Sequence, residues 1–201
     1  MSKIQTNTIQ HTANGSAVFT LPTTDGSAGQ VLQTDGSGNL SWVTPNQGIT
    51  VAQQWQTTSH QNLSTSYVTL NTWQAVGLTG AGSLGSSLTH NSGTFSFPST
   101  GIYYLSATAT FNHGSIDMDF LNLGFNVTTN NSTYTRVVNI SGSITQGPNY
   151  EAIAAEYLLD VTDTSNVKFQ VTAQDQHSQA DVFGEANSIM SSLIVIRLGD
   201  T

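Results

Sequence analysis

Residues 93–111, GTFSFPSTGIYYLSATATF, decide the fold class. Thr94, Phe95, Ser96 and Phe97 alternate polar and apolar. Tyr103, Leu105, Ala107, Ala109 and Phe111 share one parity, with Ser106, Thr108 and Thr110 on the other. Successive side chains of a strand point to opposite faces, so both runs read as half-buried β-strands. Pro98-Ser99-Thr100-Gly101 between them reads as a turn, because proline presets its φ and offers no N–H to a ladder. The stretch predicts a hairpin with one face of each strand on a core.

The same alternation continues on both sides. Tyr67, Val68 and Leu70 lead to Trp73, Ala75 and Val76, and the Gly-rich residues 77–85 read as a flexible connection. Leu121, Leu123, Phe125 and Val127 alternate with Asn122, Gly124, Asn126 and Thr128, and residues 134–140 form another strand pattern. Ile153, Ala155, Tyr157, Leu159 and Val161 alternate with Ala154, Glu156, Leu158 and Asp160. Val167, Phe169, Val171 and Ala173 alternate with Lys168, Gln170 and Thr172. Short strands at this spacing, with turn signals between them, predict an all-β sandwich. Leu193-Ile194-Val195-Ile196 departs from the pattern by being apolar on both parities, so both faces of that strand need cover. One sandwich covers one face, and a neighbouring subunit supplies the other. Ile102 and Tyr104 oppose the core parity of their strand, as Ala154 and Leu158 do in theirs. With Ile194 and Ile196 these residues are the candidate subunit interface.

Residues 1–48 differ from residues 49–201. Ile4, Ile9, Phe19 and Leu21 are isolated apolar positions in polar sequence, and Thr-Asp-Gly-Ser occurs at 24–27 and again at 34–37. Asp-Gly favours tight turns with positive φ, which predicts two or three short strands joined by such turns. So few apolar side chains bury little area, so the segment is expected to be ordered by copies of itself or by another protein. Pro45, between Thr44 and Asn46, and Gly48 mark the boundary.

Two resemblances attach to these residues. The pattern Gly93-x-Phe95-x-x-Pro98, then Gly101-x-Tyr103-Tyr104 and an alternating strand, resembles the signature of the C1q and tumour-necrosis-factor-like jelly rolls. That resemblance implies a homotrimer, with the final strand in an inner sheet lining the trimer axis and with loops displayed for binding. The stretch from Glu156 to Phe169 is similar to that family's strand-turn-strand, except that Thr162-Asp163-Thr164 stands where the family has Gly-Asp. Residues 19–43 and the opening MSKIQTNTIQ resemble tailed-phage fibre and appendage proteins. This implies attachment to another virion protein through the N-terminal segment, Ile4, Ile9, Phe19 and Leu21 included, and a distal knob that binds a host-surface glycan or protein. A capsid-decorating head fibre without a receptor role is the alternative.

Composition narrows the function classes. Only 8% of the 201 residues are charged, against about 25% in typical soluble proteins, and hydrophobic content is 37%, too high for a disordered chain. Net charge is −8, with four Lys and Arg in all. Nucleic-acid binding, which needs several phosphate-neutralising cations, is not expected, nor is a polybasic membrane patch. Without cysteine there is no disulfide, thiolate metal site or Cys nucleophile. No run reaches the length of a membrane-spanning helix, and MSKIQTNTIQ has no signal-peptide pattern. An extracellular style of composition without an export signal fits a virion component made in a host cytoplasm.

Catalytic patterns are missing as well. His11, His60, His90, His113 and His177 have no metal-ligand spacing and read as exposed loop residues. Trp42, Trp55 and Trp73 read as packing residues. Asp117 and Asp119 are weak Ca²⁺ candidates, as paired hard oxygen ligands without an EF-hand frame. An enzyme is not expected, and a carbohydrate-processing activity would need an acid pair that no spacing identifies.

Overall fold

The computed structural model describes residues 6–10, 18–45, 48–113, 116–147 and 149–201. The chain divides into two compact units, residues 1–47 and 48–201. In the first, β1 (Thr8–Gln10) pairs antiparallel with β2 (Val18–Thr20), and β3 (Val31–Thr34) pairs with β4 (Leu40–Val43). The second Thr-Asp-Gly-Ser tetrad is the β3–β4 turn. Asp35 Oδ1 accepts the N–H groups of Ser37 and Asn39 at 2.8 and 3.0 Å, and Asn39 Nδ2 donates to Asp35 Oδ2 at 2.6 Å. The first tetrad, read above as a strand-joining turn, lies in neither a strand nor a hairpin turn. Trp42 packs on Gly26 and donates from Nε1 to Thr24 O at 2.8 Å, and that contact holds the tetrad in place.

The second unit holds two antiparallel sheets. Its strands are β5 (Val51–Thr57), β6 (Gln61–Asn62), β7 (Val68–Thr69), β8 (Trp73–Ala75), β9 (Thr89–Asn91), β10 (Thr94–Ser96) and β11 (Gly101–His113). There follow β12 (Met118–Thr128), β13 (Thr135–Ile144), β14 (Asn149–Val161), β15 (Lys168–Asp175), β16 (Asp181–Val182) and β17 (Ser192–Gly199). The first sheet runs β13-β12-β15-β10-β9, with β7 also on β15. In the second, β11 pairs with β14 on one side and with β16 and β17 on the other. Beyond them β16 pairs with β6, β17 with β5, and β5 with β8. This order, with long connections crossing between sheets, is that of a jelly-roll sandwich.

The core lies between the sheets and follows the alternation. Tyr103, Leu105, Ala107, Ala109 and Phe111 of β11 are buried, as are Leu193 and Val195 of β17 and Phe169, Val171 and Ala173 of β15. Its centre is aromatic. Phe95 stacks on Phe169 with ring centroids 4.9 Å apart, and Trp55 meets Phe95 edge-on at 5.2 Å. Such offset and edge contacts add to the area these rings bury. Trp55 and Trp73 are both core residues.

Residues 93–111 fold differently from the expected hairpin. β10 pairs with β15 and β9, whereas β11 pairs in the other sheet, so 98–101 is a corner between layers. Tyr103 secures it by donating its hydroxyl to Ser99 O at 3.0 Å. Gly101 is required there, since its φ is +140° and a Cβ would lie 2.4 Å from Gly199 O. The hairpin lies one turn earlier, between β9 and β10. Its two loop residues, Ser92 and Gly93, both have positive φ (48° and 89°), the geometry that matches strand twist.

Candidate functional site

The face of the second sheet that points away from the core is built from four strands in register. One row across it is Leu158, Tyr104, Ile196 and Ala52; the next is Glu156, Ser106, Ile194 and Gln54; the third is Ala154, Thr108, Ser192 and Gln56. Ile102 lies one step beyond Tyr104, opposite Asp160. Strand parity puts these side chains outside because their neighbours Tyr103, Leu105, Leu159, Leu193 and Val195 fill the core. Leu158 is 59% exposed and Ala154 is exposed, while Ile102, Tyr104, Ile194 and Ile196 are half-buried. All six candidate interface residues thus come onto one face. Leu198, 52% exposed, is the extra residue of the bulge at the end of β17.

Some polar groups on and beside this face are tied within the chain, whereas Gln56 Oε1 is buried without a hydrogen-bond partner. Tyr104 donates its hydroxyl to Glu156 Oε1 at 2.7 Å, and that hydrogen bond to a carboxylate raises the phenol pKa above its ordinary value. Arg197 donates from Nε to Thr100 O at 2.8 Å and also contacts Asp200. The face therefore offers an apolar row of Leu158, Tyr104 and Ile196, with the exposed acids Glu156 and Asp160 on either side of Leu158 along its strand.

The other sequence candidates are dispersed. Ile9 and Phe19 are cross-strand partners, 53% and 38% exposed, and Leu21 is half-buried; Ile4 lies outside the described residues. Asp117 accepts the Gln146 N–H at 2.6 Å, whereas Asp119 accepts from Gln176 Nε2 at 3.1 Å, so the two carboxylates serve different elements. Among the described residues no three His, Cys, Asp or Glu side chains come together as a metal site. His90 is not an exposed loop residue. It is half-buried, with ring centroids 4.7 Å from Phe95 and 6.0 Å from Trp55. His60 contacts Asp181 at 3.1 Å, and His11 lies outside the described residues.

The outward face of the first sheet held a pair that sequence reasoning missed. Arg136 stacks its guanidinium on Tyr67, 3.0 Å from the ring centroid, and Tyr67 donates its hydroxyl to Asn139 Oδ1 at 2.8 Å. The pair joins a loop to a distant strand, which no local pattern reports.

No family model and no curated protein matches the sequence. Solved structures do resemble the fold. Murine APRIL at pH 8.5 aligns over 74% of this chain and 98% of its own, with 11% identity and a TM-score of 0.53. Eiger TNF from S. frugiperda aligns over 77% of this chain and 96% of its own, with 13% identity and the same TM-score. The chain therefore has a tumour-necrosis-factor-like jelly-roll fold.

Proposed function

We propose that this chain is a homotrimeric structural protein of a virion fibre or appendage. Its sandwich unit is a knob that contacts a host-surface glycan or protein, and its N-terminal segment joins another virion protein. The observation that carries the assembly is the apolar outward face of the second sheet, on which Leu158, Tyr104 and Ile196 stand in one row. Exposed contiguous apolar surface of this kind marks an interaction site. A second copy seated on it buries Leu158 and the isoleucines, and closed symmetry then limits the assembly. The number three follows the resemblance of residues 93–111 to trimeric jelly rolls. The virion setting follows the wording of residues 19–43. Binding, rather than turnover, follows the same resemblance.

Light scattering on the purified chain at micromolar concentration should give three times the chain mass, and a stable monomer overturns the assembly. Electron microscopy of virions labelled for the chain should place it at the tail. A position scattered over the capsid would favour the decorating role, and absence from particles would remove the virion reading.

A further inference from the structure

We propose that the outward face of the first sheet is a binding site for a carboxylated polysaccharide, with Arg136 as its anion contact. The inference rests on the knob role proposed above for its biological setting, and names the ligand class and the surface.

At one end of this face the outward positions are Thr94, Asn126, Thr128, Arg136, Lys168 and Gln170, adjacent across four strands. Polar residues are ordinary on a solvated sheet face, but three features here are not. First, the composition is selective. The chain has twelve acids and four Lys or Arg, yet these outward strand positions hold two of those cations and no carboxylate, the nearest along the chain being Asp163 in the turn that leads into β15. Asp119 stands at the opposite end of the sheet, bonded to Gln176. Second, Arg136 is turned outward by a β-bulge. The register passes from Phe125–Val138 to Asn126–Arg136, so Val137 is the extra residue and Arg136, not Val137, faces Asn126. Bulges commonly re-aim a side chain at a functional position. Third, the arginine is held but unpaired. Tyr67 fixes its plane, no carboxylate salt-bridges it among the described residues, and its Nε is buried without a hydrogen-bond partner. Asn126 Oδ1, its register neighbour, is also buried without one.

Both atoms are enclosed by the protein, so the groups left for a ligand are the terminal nitrogens of the guanidinium. A guanidinium held flat on an aromatic ring presents parallel N–H groups that fit a carboxylate. The flanking Thr94 and Gln170, joined by a Gln170 Nε2 to Thr94 Oγ1 hydrogen bond of 3.0 Å, keep further donor and acceptor capacity for sugar hydroxyls. A uronic-acid residue carries both a carboxylate and hydroxyls on one ring. The net charge of −8 does not forbid an anionic ligand, because charges beyond about 8 Å are largely screened at physiological salt. This face is also the one left open if the second sheet forms the assembly, so each copy presents a site.

The test is migration of the full chain in native gels cast with polygalacturonate, with neutral dextran or with dextran sulfate. Retardation by polygalacturonate and not by dextran is expected, weakening with salt. R136Q should lower apparent affinity about tenfold, the loss of one charged hydrogen-bond pair, and K168Q by less. Circular dichroism and light scattering of both variants should match the parent; if R136Q fails to fold, K168Q carries the test. No retardation of the parent, equal retardation by dextran, retardation by dextran sulfate alone, or unaltered retardation of every folded variant overturns the proposal. A chain that binds polygalacturonate but is missing from virions keeps this site and loses the proposed role; a virion-borne chain that is not retarded does the reverse.

Discussion

Asp175 ends β15 with no solvent exposure, and its carboxylate accepts the N–H groups of Ser178, Gln179 and Ala180 at 2.8, 2.6 and 2.7 Å. A buried carboxylate is stable when backbone donors converge on it in this way. Asp175→Ala leaves three donors without their acceptor, that of Ala180 in the interior, and should cost about 2 to 3 kcal/mol, read from the urea midpoint at unchanged slope. Asp175→Asn should cost less, because its amide oxygen still accepts. His90 gives the pH dependence. Burial lowers its pKa from the ordinary value, and its Nε2 accepts the Gly93 N–H at 2.9 Å, which requires the neutral ring. The unfolded chain therefore binds a proton more readily than the folded one. The His90 contribution is complete above about pH 6.5 and is lost as pH falls below it. Melting temperature should drop between pH 7 and 5, and His90→Gln should flatten that slope; an unchanged slope would contradict the assignment.

At the scale of elements, the strands that alternate cleanly were legible. β11, β14 and β17 follow parity because each has one face on the core, and the same parity placed all six interface candidates on one face. What was not legible depends on partners distant in sequence. The separation of β10 from β11 is set by β15, which captures Phe95 opposite Phe169. Arg136 was missed because its direction depends on the bulge at Val137 rather than on alternation. The tetrads at 24–27 and 34–37 are identical, yet only the second makes a hairpin, since the first is engaged by Trp42. β1 to β4 form two separate two-stranded pairs, most of their side chains exposed. Such ribbons are marginal in water. A fragment of residues 49–201 should melt cooperatively by circular dichroism, whereas residues 1–48 alone should not. A sharp transition in the short fragment would show that its strands need no partner.

For the whole molecule, the proposed assembly puts a carboxylate test at its centre. Tyr104→Asp or Leu158→Asp should shift light-scattering mass from trimer to monomer, because each copy would bury an unpaired charge. Lys168→Asp, on the other sheet, should leave the mass unchanged. A Leu158→Asp chain that keeps the parent's mass and melting temperature would remove this face from the assembly. The strands carrying the outer row Leu158, Tyr104 and Ile196 carry Leu159, Tyr103, Leu105 and Val195 of the core on their reverse side. Loss of a neighbour therefore wets one side of the strands that hold the sandwich shut. Dilution then acts as a denaturant: melting temperature should climb with chain concentration, as mass action requires when only the assembled form is fully dry. A particle crowded with copies would hold this knob closed at temperatures where a solitary chain opens.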